Sequence, residues 1–117
     1  MDSFQSRILD NRSLVASLDN GLPGFFPTDT LPALGCIPRN ANSLWKLKRR
    51  PLKKPMILMG SSPKELFRWV DQVALDDAWE MASKYWPGAL TLVLPASGEI
   101  VDWLNPGGKS LGLRIPA

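Results

Sequence analysis

The sequence predicts an α/β domain in which short apolar strands alternate with amphipathic helices. Three observations carry this expectation. Apolar stretches bounded by Gly and Pro recur at residues 22–26, 55–59, 89–94 and 111–115. Segments with helical spacing lie between them, and one of these has a complete start signal at Ser62-Pro63-Lys64-Glu65. At 117 residues the chain has the length of one domain.

Taken in order, the first segment reads as a helix to about Asn20. Leu14, Val15 and Leu18 recur at helical spacing, and Gly21 suits a C-cap. Residues 22–26 form a buried strand. Pro27-Thr28-Asp29-Thr30-Leu31-Pro32 is then a loop in which two prolines frame two hydroxyls and a carboxylate. Loops after strands are where α/β sheets bind ligands, although the same residues also make ordinary Asx and Ser/Thr turns. A short helix starts near Ser43 and carries Leu44 to Lys48, and Pro51 ends it. Residues 55–59 form a second strand. Ser62 caps the next helix, with Pro63 at its first position and Glu65 completing a capping box. Residues 74–85 form a further helix, broken by Trp86-Pro87-Gly88. A strand over 89–94, a polar loop holding Asn105-Pro106-Gly107-Gly108 and a last strand over 111–115 follow, so some of the pairing must be parallel.

Charge is unevenly placed. The net charge is +3, yet Lys46, Lys48, Arg49, Arg50, Lys53 and Lys54 crowd into nine positions, and the rest of the chain is mildly acidic. A run of this kind is ordinarily a solvated face or a weak nucleic-acid patch. Lys48 is different: Leu44, Trp45 and Leu47 define the apolar face of the helix, and Lys48 falls within it. An ammonium there needs an anion or a wet cleft, and Lys48 with Arg50 could clamp a phosphate. Arg114 poses the same problem in an apolar strand, with Asp29 and Asp102 as conceivable partners. Gly108-Lys109-Ser110 ends like a phosphate-binding P-loop, but Trp103 stands where the first glycine belongs and a strand follows instead of a helix. The five tryptophans read as core before nucleobase platforms.

Absences exclude whole classes of chemistry. There is no histidine, which removes catalytic triads, His bases and His-ligated metals. Cys36 is the sole cysteine, so neither an internal disulfide nor a zinc ribbon is available. No apolar run approaches the ~18 residues of a membrane span, and no secretory signal is visible. The expectation is a cytoplasmic domain without a membrane partner and without a protein-held metal.

Several segments, in this order, resemble a known family. They are Phe26-Pro27-Thr28-Asp29-Thr30, Leu34-Gly35, Lys48-Arg49-Arg50-Pro51, Pro55-Met56-Ile57-Leu58, Trp86-Pro87-Gly88-Ala89-Leu90-Thr91-Leu92 and Leu111-Gly112-Leu113-Arg114-Ile115-Pro116. Together they are similar to the YrdC-like family of threonylcarbamoyl-AMP synthases, which serve the t6A modification of tRNA. The resemblance implies one YrdC-like domain over residues 1–117, a twisted mixed sheet flanked by helices around a basic cleft. It also implies a reaction of ATP, with its accompanying Mg2+, bicarbonate and L-threonine. Carboxylated threonine would attack the α-phosphate and pyrophosphate would leave.

On this resemblance Lys48 and Arg50 are the catalytic pair and hold the ATP phosphates, with Lys54 and Ser110 as further ATP contacts. Thr30 and Arg114 hold threonine, Arg114 as a fork for its carboxylate. Three departures stand out: Pro32-Ala33 replaces Tyr-Gly, Met59 replaces a polar residue, and the family's Ser-x-Asn segment lies beyond residue 117. The resemblance therefore implies a fold incomplete at the C-terminus. The alternatives are a catalytically impaired module that binds double-stranded RNA or tRNA, or an inactive fragment. In the RNA-binding case Lys46, Lys48, Arg49, Arg50, Lys53 and Lys54 would contact phosphates. Other proteins of t6A synthesis are implied partners.

Overall fold

The computed structural model describes residues 11–31, 33–48 and 55–117. Helix α1 (Asn11–Asp19) leads into strand β1 (Gly24–Phe26). Gly21 turns the chain between them at φ +86, with its N–H on the Leu18 carbonyl at 3.0 Å and that of Leu22 on Ser17 at 3.1 Å. This is the paired bonding of a Schellman cap, and only glycine takes the left-handed conformation there freely. β1 pairs antiparallel with β2 (Ala33–Gly35), placing Phe26 opposite Ala33. The loop at residues 27–32 is thus the tip of a hairpin, whereas the sequence alone showed no strand after it.

A 3-10 turn (Pro38–Asn40) feeds α2 (Ala41–Lys48), which starts two residues before the expected Ser43. β3 (Ile57–Met59) begins two residues later than the expected 55 and is not the buried strand expected, since Ile57 faces solvent at an edge of the sheet; α3 (Pro63–Phe67) follows as expected, and Ser62 Oγ accepts the Glu65 N–H at 3.3 Å. A second 3-10 turn precedes α4 (Leu75–Tyr85). β4 (Leu92–Pro95) begins later than the expected residue 89, because the Trp86–Pro87 bend is still being closed: the Trp86 indole donates to the Leu90 carbonyl at 2.8 Å. Within the expected polar loop the chain forms α5 (Glu99–Leu104), before β5 (Ser110–Arg114).

The main sheet has the order β3-β5-β4, with β3 parallel and β4 antiparallel to β5. This is the small mixed sheet with flanking helices that the sequence predicted. A basic cleft is not part of what is described, since Arg49, Arg50, Lys53 and Lys54 lie outside the described residues. Alternation along β5 sorts its side chains. Leu111 and Leu113 are 1% and 0% exposed and join a core with Leu66 and Phe67 of α3, Ala78 and Ala82 of α4, and Ile100, Val101 and Leu104 of α5. Ser110, Gly112 and Arg114 take the other face. There Ile57 and Val93 flank Gly112 in register, and both are exposed. Among the described residues no helix is long and apolar enough to cross a membrane.

Leu113→Ala should cost about 2–5 kcal/mol in chemical denaturation, because nothing can collapse easily into the space at the centre of the core. Val93→Ala, on the open face of the same sheet, should stay within about 0.5 kcal/mol. Partial burial pushes the Cys36 thiol up from its ordinary value. Since the thiolate is the reactive form, alkylation of the folded chain should reach half its limiting rate at a higher pH than alkylation of the urea-unfolded chain.

Candidate functional site

The site is organised by one side chain. Arg114 ends β5 on the face away from the core, yet the residue is only 7% exposed, because the tip of the β1–β2 hairpin lies over it. Of the two partners the sequence offered, the structure uses Asp29, whose carboxylate forms an ion pair with Nη2. Asp102 sits exposed on α5. Nη1 donates to Thr30 Oγ1 at 3.1 Å, and Nε donates to the Gly88 carbonyl at 2.9 Å. The second carboxylate oxygen of Asp29 accepts the Ala117 N–H at 3.1 Å. One guanidinium thus binds the hairpin tip, the Trp86-Pro87-Gly88 bend and the end of the main sheet.

Local bonding fixes the direction of each hydroxyl. Thr28 Oγ1 donates its hydrogen to the Leu31 carbonyl at 2.7 Å and accepts the Thr30 N–H at 3.1 Å. The 3.2 Å bond between the two hydroxyls must therefore be donated by Thr30. Thr30 Oγ1 has given away its hydrogen and accepted one from Arg114, which leaves one acceptor lobe. Arg114 has five N–H groups, three of them committed, which leaves one on each terminal nitrogen without a partner among the described residues. Thr28 was not among the expected site residues, and the signal for it was the Thr-x-Thr spacing around Asp29.

Next to this cluster lies an open depression of about 410 Å³ lined by Gly60, Ser61, Pro63, Trp86, Pro87 and Ile115. Backbone bonds weld its walls to the end of β5 and the residue after it: Gly60 N–H reaches Arg114 O at 3.2 Å, and Gly88 N–H reaches Ile115 O at 2.8 Å. Gly88 has no room for a side chain, since a Cβ would lie 2.8 Å from the Tyr85 carbonyl. The Trp86–Pro87 peptide beside it is cis. Met59 pairs in register with Arg114, half-buried on the neighbouring strand.

The structure brings Thr30 and Arg114 together. It holds Ser110 apart, four residues earlier on β5 and so about 13 Å along the strand. There Asn105 Nδ2 donates to the Ser110 carbonyl at 3.0 Å. Lys46 is exposed on α2. Lys48 is the last residue of α2, and its side chain lies outside the described residues, as do Arg49, Arg50, Lys53 and Lys54. Chemically the described site is a neutralised cation with N–H groups to spare beside a hydroxyl acceptor. Such groups can position a ligand, and among the described residues the site holds no free general base.

Comparison with other proteins agrees with this architecture. The sequence profile of the Sua5/YciO/YrdC family, described as "Telomere recombination", matches residues 16–117. A threonylcarbamoyl-AMP synthase of Halorhodospira halophila is 35% identical over 109 residues, covering 91% of this chain and 56% of that protein. One from Stenotrophomonas maltophilia is 36% identical over 90% of this chain and 59% of its own length. The chain thus spans little more than half the length of these relatives. Among solved structures, P. abyssi Sua5 complexed with L-threonine superposes with a TM-score of 0.83 at 28% identity, over 91% of this chain and 32% of that one. E. coli YciO superposes with a TM-score of 0.72 at 26% identity, over 90% of this chain and 52% of that one.

Breaking the buried pair should be costly. Asp29→Ala leaves an uncompensated guanidinium and should lower stability by about 3 kcal/mol in urea denaturation. Asp102→Ala, the alternative acid, should change it by less than about 0.5 kcal/mol.

Proposed function

We propose, from the premise that this chain belongs to the Sua5/YciO/YrdC family, that it serves the formation of L-threonylcarbamoyl-AMP for tRNA t6A modification in the cytoplasm. The observation that carries the reading is the unused bonding capacity at Arg114 and Thr30. Two spare N–H groups on one guanidinium suit a carboxylate, and the spare acceptor lobe of Thr30 suits an amine. A carboxylate and an amine at this spacing are the two ends of an α-amino acid. L-threonine is the ligand in the P. abyssi relative, and this supports the choice.

The rest of the reaction follows from what such a ligand can do. Its amine nitrogen takes up the carbon of bicarbonate with loss of water, giving a carbamate. A carbamate oxygen then attacks the α-phosphorus of ATP, the bond to the β-phosphate oxygen breaks, and pyrophosphate leaves. The developing charge sits on phosphate oxygens, so the protein contributes positioning and cations more than proton transfer. This suits a chain without histidine. Lys48 and Arg50 are proposed for the phosphates on their Lys-x-Arg pattern, Lys54 as a further ATP contact on the family resemblance, and Ser110 for the nucleotide side. Mg2+ enters with ATP as part of that substrate. Transfer to tRNA would require the other proteins of t6A synthesis.

Titration calorimetry on the full chain tests the amino-acid site directly. L-threonine should bind, and both L-threoninol, which lacks the carboxylate, and N-acetyl-L-threonine, which lacks the amine, should bind at least about tenfold more weakly. Thr30→Val should bring L-threonine down to the level of the N-acetyl compound. Equal affinity for all three compounds, or none for threonine, would refute the reading. With ATP and bicarbonate added, pyrophosphate release should require L-threonine and be lost in Arg50→Ala.

A further inference from the structure

A second concavity uses none of the residues of the threonine site. It lies where the turn Pro38–Asn40, the end of α3 and helix α5 meet, and holds about 190 Å³ between Ile37, Arg39, Arg68, Trp69, Ile100 and Trp103. That volume is below the roughly 300–1,000 Å³ of sites for whole small molecules, and suits a single planar ring. Its chemistry is unusual for a surface dent. Two indoles and two aliphatic side chains form the walls, and two exposed arginines stand over them. Neither arginine forms an ion pair with a described residue.

The walls are held in place. The guanidinium of Arg68 lies over the Trp69 ring, 5.0 Å from its centroid. A guanidinium resting on a ring keeps its in-plane N–H groups available to an anion, and little freedom is lost when one arrives. Trp69 also packs on Gly98, where a Cβ would lie 3.3 Å from two ring carbons. The Trp103 carbonyl accepts the Trp45 indole N–H at 3.2 Å, which ties α5 to α2 beside the notch. Preformed apolar walls with two unneutralised forks call for a ligand that has a flat face and negative charge on either side.

We propose that the notch binds one unpaired nucleotide of an RNA single strand, with the base against the apolar walls and flanking phosphates on Arg39 and Arg68. Stacking on indoles and guanidinium planes is how proteins hold unpaired bases, and a duplex keeps its bases out of reach. Charge favours a polyanion over an isolated acidic side chain. The turn carrying Arg39 runs directly into α2, and the six cations between Lys46 and Lys54 follow on the same stretch of chain.

The test is fluorescence anisotropy with the full chain and a labelled oligoadenylate of about ten nucleotides, within the usual site size of single-strand binders. Arg39→Ala and Arg68→Ala should each weaken binding about fivefold or more and reduce the salt slope by about 0.7. Neither should alter affinity for the oligoadenylate–oligouridylate duplex, which would use the basic run alone. AMP should displace the single strand at lower concentration than inorganic phosphate does, and this advantage should shrink in Arg39→Ala and Arg68→Ala, which leave the proposed ATP contacts untouched. Both arginines are exposed, so unchanged melting temperatures separate lost binding from lost folding. Absence of single-strand binding, equal weakening on single strand and duplex, or equal displacement by phosphate and AMP would each overturn the proposal.

Discussion

The guanidinium of Arg114 is the constraint on which the site's geometry depends. A cation withdrawn from water costs several kcal/mol unless its hydrogen-bonding groups are met, and at the end of an apolar strand nothing on that strand can meet them. The partners have to be imported. They come from a hairpin tip some 85 residues away in sequence and from a carbonyl in the Trp-Pro-Gly bend. Among the described residues the two small sheets share no strand pairing, and the ion pair and its neighbouring bonds tie the hairpin to the main sheet. Burial of Leu111 and Leu113 makes the strand stable, and Arg114 decides what lies against it.

This arrangement explains how a domain without histidine can have a chemically meaningful centre. Asp29 neutralises Arg114 and orients it, and Thr28 orients Thr30 in the same way. What is left for a ligand is a small set of directed groups whose number follows from counting hydrogens. Recognition by such leftover valence would be most stringent at buried Arg114, where a ligand that lacks the matching acceptors leaves N–H groups unmet. The open depression beside Trp86 and Pro87 gives such a ligand space without asking these groups to move.

Much of the architecture was legible in the sequence, for physical reasons that differ by element. α3 was readable because Ser62 and Pro63 act locally, and β5 because its apolar residues alternate around a single arginine. The basic run was visible as charge, but charge does not reveal where a side chain goes. β2 escaped notice because three residues carry too little pattern, and it exists only through pairing with β1. α5 escaped because it is six residues long, lacks a side-chain cap and sits between Gly98 and Asn105-Pro106, which read as turns. Its Ile100, Val101 and Leu104 have helical spacing, but tertiary burial determines the outcome. The need of Arg114 for an anion was predictable, but the choice between Asp29 and Asp102 was not, since it depends on two loops meeting in space.

Strand order has a further consequence, for the way the chain reaches this state. Among the described residues the middle strand of the main sheet, β5, follows the other four in sequence, and its neighbours β3 and β4 are not paired with each other. Among the described strands neither outer one has a partner in that sheet other than β5. Contacts of large sequence separation carry their loop-closure entropy before they are rewarded, which slows the search. The hairpin β1–β2 and helix α4 rest on local interactions, whereas the main sheet and the Arg114 cluster join segments far apart in sequence. One strand thereby serves both the core, through Leu111 and Leu113, and the Arg114 cluster, so the cluster cannot be complete while β5 is unpaired.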